Sequence, residues 1–167
     1  GLVMAAVLVA TVANAGAASV YLGPTPYLDA SDSPFPLDEF GFCLETFENG
    51  VLDVPGMLAY GDNVVVGPSG LTDSVDGDDG TIDGSGQQGH SYFAGVGTLL
   101  FIFPNDRVNG LPTRVGIVWT EGGASSPVLF EALDEFGESL GKHGPFYHAD
   151  NSISGTTGED RFYGVHD

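Results

Sequence analysis

Apolar residues recur two apart, or in short unbroken runs, and almost never at helical spacing. Over residues 113–120, Val115, Ile117 and Trp119 fall on one alternating face, the period of a strand with one buried side. Residues 98–103 form a nearly continuous apolar run that stops at Pro104-Asn105. Residues 128–133 and 161–165 read as further strands, and 139–140 as a minor one. Two more strands are expected at 39–48, ended by Asn49-Gly50, and at 63–67, closed by Gly67-Pro68. Pro24, Pro26, Pro34 and Pro36 make 18–38 an extended lead-in. Past the first 18 residues, no window of 11 or more carries a helical stripe. Short strands with turns at this spacing predict an all-β fold, a two-sheet antiparallel β-sandwich of jelly-roll type. Phe42 or Leu44, together with Phe101, Ile117, Trp119 and Phe130, are expected in one core.

The start of the chain has a different texture. Residues 1–18 carry no charge, and Leu2 to Val9 is an apolar run too short to span a bilayer. Ala13-Asn14-Ala15 and Ala15-Gly16-Ala17 fit the small-x-small pattern that a signal peptidase cuts. Residues 1–17 are therefore expected to be a secretory signal whose start is missing, with cleavage after Ala17. Residues 18–38 would form the lead-in and 39–167 the sandwich, and the product would be secreted or held at the cell surface. An apolar first strand or buried helix is the competing reading of the same run.

Charge narrows the partners. Against 23 aspartates and glutamates there are only 4 lysines and arginines, a formal net charge of −19. Nucleic acid is excluded, because phosphate contacts need clustered Lys and Arg. An anionic membrane surface is excluded for the same reason. Cys43 is the only cysteine, so the chain has no internal disulfide, and an inert thiol is expected there. Its hydrophobic share of 42% is enough to build a core despite the charge.

Most short motifs fail on context. Gly84-Ser85-Gly86-Gln87-Gln88-Gly89 matches a dinucleotide fingerprint as a string, but an acidic loop precedes it and a strand follows. Gly89-His90-Ser91-Tyr92-Phe93 opens like a nucleophile elbow and lacks its closing glycine. There is no H-E-x-x-H or C-x-x-C; His143 and His148 with Asp150 could meet on a loop, yet surface histidines are far commoner than a zinc site. The informative cluster is 73–83, where Asp73, Asp76, Asp78, Asp79 and Asp83 place five carboxylates in eleven residues. Calcium takes six to eight hard oxygen ligands, which an Asp/Gly loop supplies. An EF-hand frame does not fit, because it would put Val75, Gly77 and Gly86 at ligand positions. A structural Ca2+ ion and a solvated turn remain the two readings of this loop.

Several blocks in order carry a resemblance. They are Phe47-Glu48-Asn49-Gly50-Val51-Leu52-Asp53-Val54-Pro55-Gly56, the acidic block 72–86, 111–120, Phe130-Glu131-Ala132-Leu133-Asp134 and 159–165. Together they resemble exported bacterial proteins of the PEP-CTERM type. That resemblance implies export, a jelly-roll-like domain, attachment to surface or matrix material, and no assigned catalysis. It also implies further strands and a sorting helix beyond Asp167, so that this chain would hold an incomplete sandwich. A weaker similarity, through Phe47-Glu48-Asn49-Gly50, points to carbohydrate-binding modules, and it implies Glu48 as a ligand of a structural calcium.

Glycan binding would need aromatic side chains on an open face; Tyr92, Phe93, Trp119, Tyr147 and Tyr163 are the candidates, and Trp119 fits the core better because it shares a face with Val115 and Ile117. Three functions follow in order of expectation. The first is an exported non-enzymatic sandwich bound to extracellular polysaccharide or cell-surface material. The second is a carbohydrate-binding module for a neutral glycan. The third is a glycoside hydrolase with a carboxylate pair, for which no catalytic residue can be named.

Overall fold

A computed structural model describes residues 6–11, 18–60, 63–69, 72, 74–75, 88–94, 98–103, 110–120, 127–147 and 160–166. Its clearest amphipathic strand is β8 (Val128–Leu133), in which Val128, Phe130 and Ala132 are buried and their neighbours are half-covered. Together with β1 (Ala6–Thr11), β3 (Leu58–Tyr60), β6 (Leu100–Ile102) and β9 (Ser139–Phe146) it forms the main sheet, in the order β3-β6-β1-β8-β9. A second sheet has the order β2-β10-β7, from β2 (Val20–Pro26), β10 (Arg161–His166) and β7 (Arg114–Trp119). A hairpin of β4 (Asn63–Val66) and β5 (Ser91–Ala94) completes the described strands. The only helical segment among the described residues is one 3-10 turn, Ala30–Asp32. The fold is an all-β sandwich, as the alternation predicts.

The two sheets face each other across one cluster. Phe101, Val128, Phe130 and Ala132 of the main sheet, with Leu99 just before β6, meet Val115, Tyr163 and Val165 of the second. Ile117 and Trp119 pack against it half-buried. Burying an aliphatic or aromatic side chain of this size contributes about 1.5–3 kcal/mol, so these few residues dominate the stability. Phe130 lies 6.4 Å from Tyr163 in a stacked pair and 5.9 Å, edge-on, from Tyr21.

β10 is covered on both faces. Phe162, Tyr163, Gly164 and Val165 are all buried, which explains a strand with almost no polar alternation. On the outer face the Phe162 ring lies over Gly116 and Gly164, and a Cβ at Gly116 would sit 2.5 Å from that ring. Tyr27 and Phe35 close over Phe162 at 6.3 and 5.5 Å, and form a second cluster beneath the 27–42 segment. The Asp29 side chain caps the turn there by accepting from Ser31 N–H at 2.7 Å, while Leu28 N–H donates to Asp32 at 2.8 Å.

The sheets are also tied at one corner. The Tyr21 hydroxyl of β2 donates to the Gly141 carbonyl at 2.5 Å and accepts from Ala132 N–H at 3.3 Å. Nε2 of His143 lies 2.6 Å from the Gly23 carbonyl, which can only accept, so this nitrogen donates.

Four sequence expectations differ from the structure. Residues 39–48 are turns and extended chain rather than a strand; Leu44 is exposed, and Phe42 packs on the second cluster. Part of the expected lead-in is β2, which tolerates Pro24 and Pro26 because it lies at a sheet edge. The minor strand at 139–140 is eight residues long, and its pairing with β8 shifts register twice, past Gly141 and Gly144 at positive φ. Residues 6–11, inside the expected leader, occupy a central strand position parallel to both β6 and β8.

Candidate functional site

The loop 45–57 is organised by carboxylates and amides that bind its own backbone. Glu45 accepts from Phe47 N–H at 2.8 Å through one oxygen. Through the other it accepts from Asp53 N–H at 2.8 Å and Val54 N–H at 3.3 Å. Asn49 accepts from Val51 N–H at 3.0 Å and donates to Asp53 at 2.5 Å. Local bonds of this kind give the backbone an alternative to a ladder, which is why a β-rich stretch is no strand here. Phe47 takes a positive φ of 64° and Gly50 one of 79°, and Gly50 N–H donates to the Phe47 carbonyl at 2.8 Å. The turn that follows 39–48 is thus real, although the strand is not.

Glu48 leaves the loop and meets the start of β5. His90 N–H donates to its Oε1 at 2.6 Å, and Nδ1 of His90 lies 3.0 Å from its Oε2. Both side chains are about one-fifth exposed. An ionised carboxylate only accepts, so a ring proton sits on Nδ1. A carboxylate-oriented imidazole of this kind serves in nucleophile activation and in metal second shells. Among the described residues His90 Nε2 meets no hydroxyl, thiol or second ligand. Beside the pair the Phe47 ring packs on Tyr92 at 5.4 Å, and Tyr92 on Phe101 at 5.5 Å, so the loop is moored to the main core by rings.

The expected calcium set is divided. Glu48 is described, with both oxygens engaged by His90, and a carboxylate retains lone pairs for a further partner. Asp73, Asp76, Asp78, Asp79 and Asp83 lie outside the described residues, so their geometry with Glu48 is not drawn. Around them, Thr72 and Ser74 are buried and Val75 packs on the second cluster, which anchors the start of the acidic loop under the 27–42 segment. No group of three or more ligating side chains gathers among the described residues. His148 and Asp150 also lie outside them, while His143 is engaged with Gly23.

The three tyrosines separate by exposure. Tyr163 is 1% exposed, in the centre of the main core, and burial pushes its phenol well above the usual range. It is therefore not a surface platform; its alternation with Phe162 puts it inward, because both faces of β10 are covered. Tyr92 is half-buried between Phe47 and Phe101, and burial raises its phenol too. Tyr147, just past β9, is 61% exposed. Phe93, a candidate from sequence, is exposed, whereas Phe40, Tyr60 and Phe136 are exposed aromatics in apolar or turn stretches that sequence reasoning passed over. Cys43 is exposed beside this loop.

No protein-family model, no curated protein and no solved structure matches the chain.

Proposed function

We propose that this is an exported, non-enzymatic β-sandwich that associates with cell-surface or extracellular matrix material and holds a structural calcium ion at its acidic loop. The observation that carries the reading is how the Phe47–Gly50 block is used. Phe47 moors the loop on Tyr92, Glu48 is spent on His90, and Asn49 is spent on Asp53 and Val51. These are scaffold roles, in keeping with the exported family that this block resembles. The uncharged leader pattern ending in Ala13-Asn14-Ala15-Gly16-Ala17 supports the export half.

Crowded carboxylates support the calcium half, since five like charges in one loop repel until solvent or a divalent cation relieves them. Binding to the folded state alone stabilises by about 2.7 kcal/mol at a hundredfold excess over the dissociation constant. Melting is to be compared in calcium, magnesium and chelator at fixed ionic strength, for the parent and for Asp76→Asn/Asp78→Asn. The parent should melt several degrees higher in calcium, magnesium should do little, and the double variant should lose the difference. Equal melting in calcium and chelator overturns the site.

A carbohydrate-binding role is the second reading, favoured by Tyr147, whose exposed ring at the end of β9 offers a flat apolar surface to a neutral sugar. Retardation in gels cast with neutral polysaccharide, abolished by Tyr147→Ala, would select it over the first.

A further inference from the structure

Processing after Ala17 would remove β1 and spare β2, whose first residue is Val20. β1 is no peripheral strand. It lies between β6 and β8, in register with β8 from Ala6↔Val128 to Thr11↔Leu133, and its ladders are the only parallel ones among the described strands. Without it, the N–H and C=O groups of β8 and β6 that face β1 lose their partners in mid-sheet, beside the core residues Phe101, Phe130 and Ala132. Buried backbone groups are almost always paired.

The gap does not close easily from either side. β8 and β9 are fixed to the second sheet by Tyr21, which binds Gly141 and Ala132, and by His143 on Gly23. β6 is fixed by Phe101, which packs on Tyr92 and sits in the main core. Bringing β6 to β8 would shift one of these layers by about one strand spacing, roughly 4.8 Å.

We infer that the processed domain is a strand acceptor: the place between β6 and β8 is filled by an extended segment of another polypeptide, uncharged and aliphatic over six residues, running parallel to β8. The inference rests on the export reading, since processing is what empties the place. β1 defines the occupant, because Ala6-Val7-Leu8-Val9-Ala10-Thr11 is uncharged and alternates β-branched residues at 7, 9 and 11. A net charge of −19 tells against an acidic donor. Main-chain bonds would supply the affinity and the alternate side chains the selectivity.

The test uses the full chain with a protease site placed in 12–17, nicked after folding and offered a fluorescent peptide of residues 2–11. The nicked chain should take up the peptide one-to-one as its own strand leaves, and the uncut chain should not. A Leu8→Pro peptide should fail to bind. A second variant, full-length Val9→Pro, cannot keep β1 paired and should bind the peptide without nicking, with amide exchange at 128–133 slowing on binding. If neither chain binds while those amides stay protected, β6 and β8 have closed on each other and the acceptor is refuted; equal binding by the uncut chain refutes it as well. The N terminus of secreted material tests export separately. A start at Ala18 supports processing, and a retained leader removes it without altering the peptide result.

Discussion

The two hydrophobic clusters are built to different standards. The one between the sheets is walled by strands on both sides, and each wall is held by strand-to-strand ladders. The one outside β10 has a sheet for a floor but a coil for a roof, in which Tyr27 and Phe35 are held by side-chain packing, turn caps and one backbone bond from Tyr27 N–H to the Asp160 carbonyl at 3.1 Å. Equal burial of aromatic area therefore does not mean equal resistance to opening, because a roof without a ladder can lift while the sandwich stays shut.

The comparison can be broken first at its stronger end. Phe130→Ala should destabilise the whole domain by about 3–5 kcal/mol in denaturant melts, with one cooperative transition, since it leaves a cavity against Tyr163 and Tyr21. Phe35→Ala should cost less, about 2–3 kcal/mol because the roof can collapse inward, and its signature should be faster proteolysis within 27–42 with β8 amides still protected. A single global transition in both variants would erase the distinction between the clusters.

Glu48→Ala tests a third mooring. It strips the acceptor from the His90 N–H, and in a partly exposed setting the loss should be about 1–2 kcal/mol, read from denaturant midpoints. Proteolysis should then concentrate in the 45–57 loop rather than in the roof.

Alkali gives the smallest and most selective effect. Burial raises the phenols of Tyr163, Tyr27 and Tyr21 in the folded chain. Their contribution is therefore complete below the ordinary tyrosine value of about 10 and is lost as pH rises above it, because the unfolded chain ionises first. Stability should hold between pH 8 and roughly 9.5 and decline beyond, and the decline should shrink in Tyr163→Phe.

How much of this was legible depended on whether a residue's partner was local. Strands β7, β8 and β10 could be read because Val115, Ile117, Phe130 and Phe162 carry their own period or apolar run. Only 139–140 of β9 carries a strand pattern in the sequence, because Gly141, Gly144 and Pro145 interrupt it, whereas in the fold they sit where the pairing with β8 shifts register. Residues 39–48 misled for the opposite reason: their composition suits a strand, but their amides turn to local acceptors, Phe42 N–H to the Glu39 carbonyl and Phe47 N–H to the Glu45 carboxylate. The Glu48–His90 pair joins residues 42 apart, and no spacing rule brings them together. Tyr163 and Tyr147 look alike in sequence; only the second layer over β10 tells them apart.

The place of β10 also sets a clock. β2 and β7 pair with nothing in their sheet except β10, and Val20 finds its partner only at His166. A ribosome must therefore deliver nearly all of these residues before the second sheet can begin to form, and the search that joins its outer strands spans most of the chain. Such non-local pairing folds slowly. Until β10 arrives, β2 and β7 of a nascent chain have no partner in their own sheet.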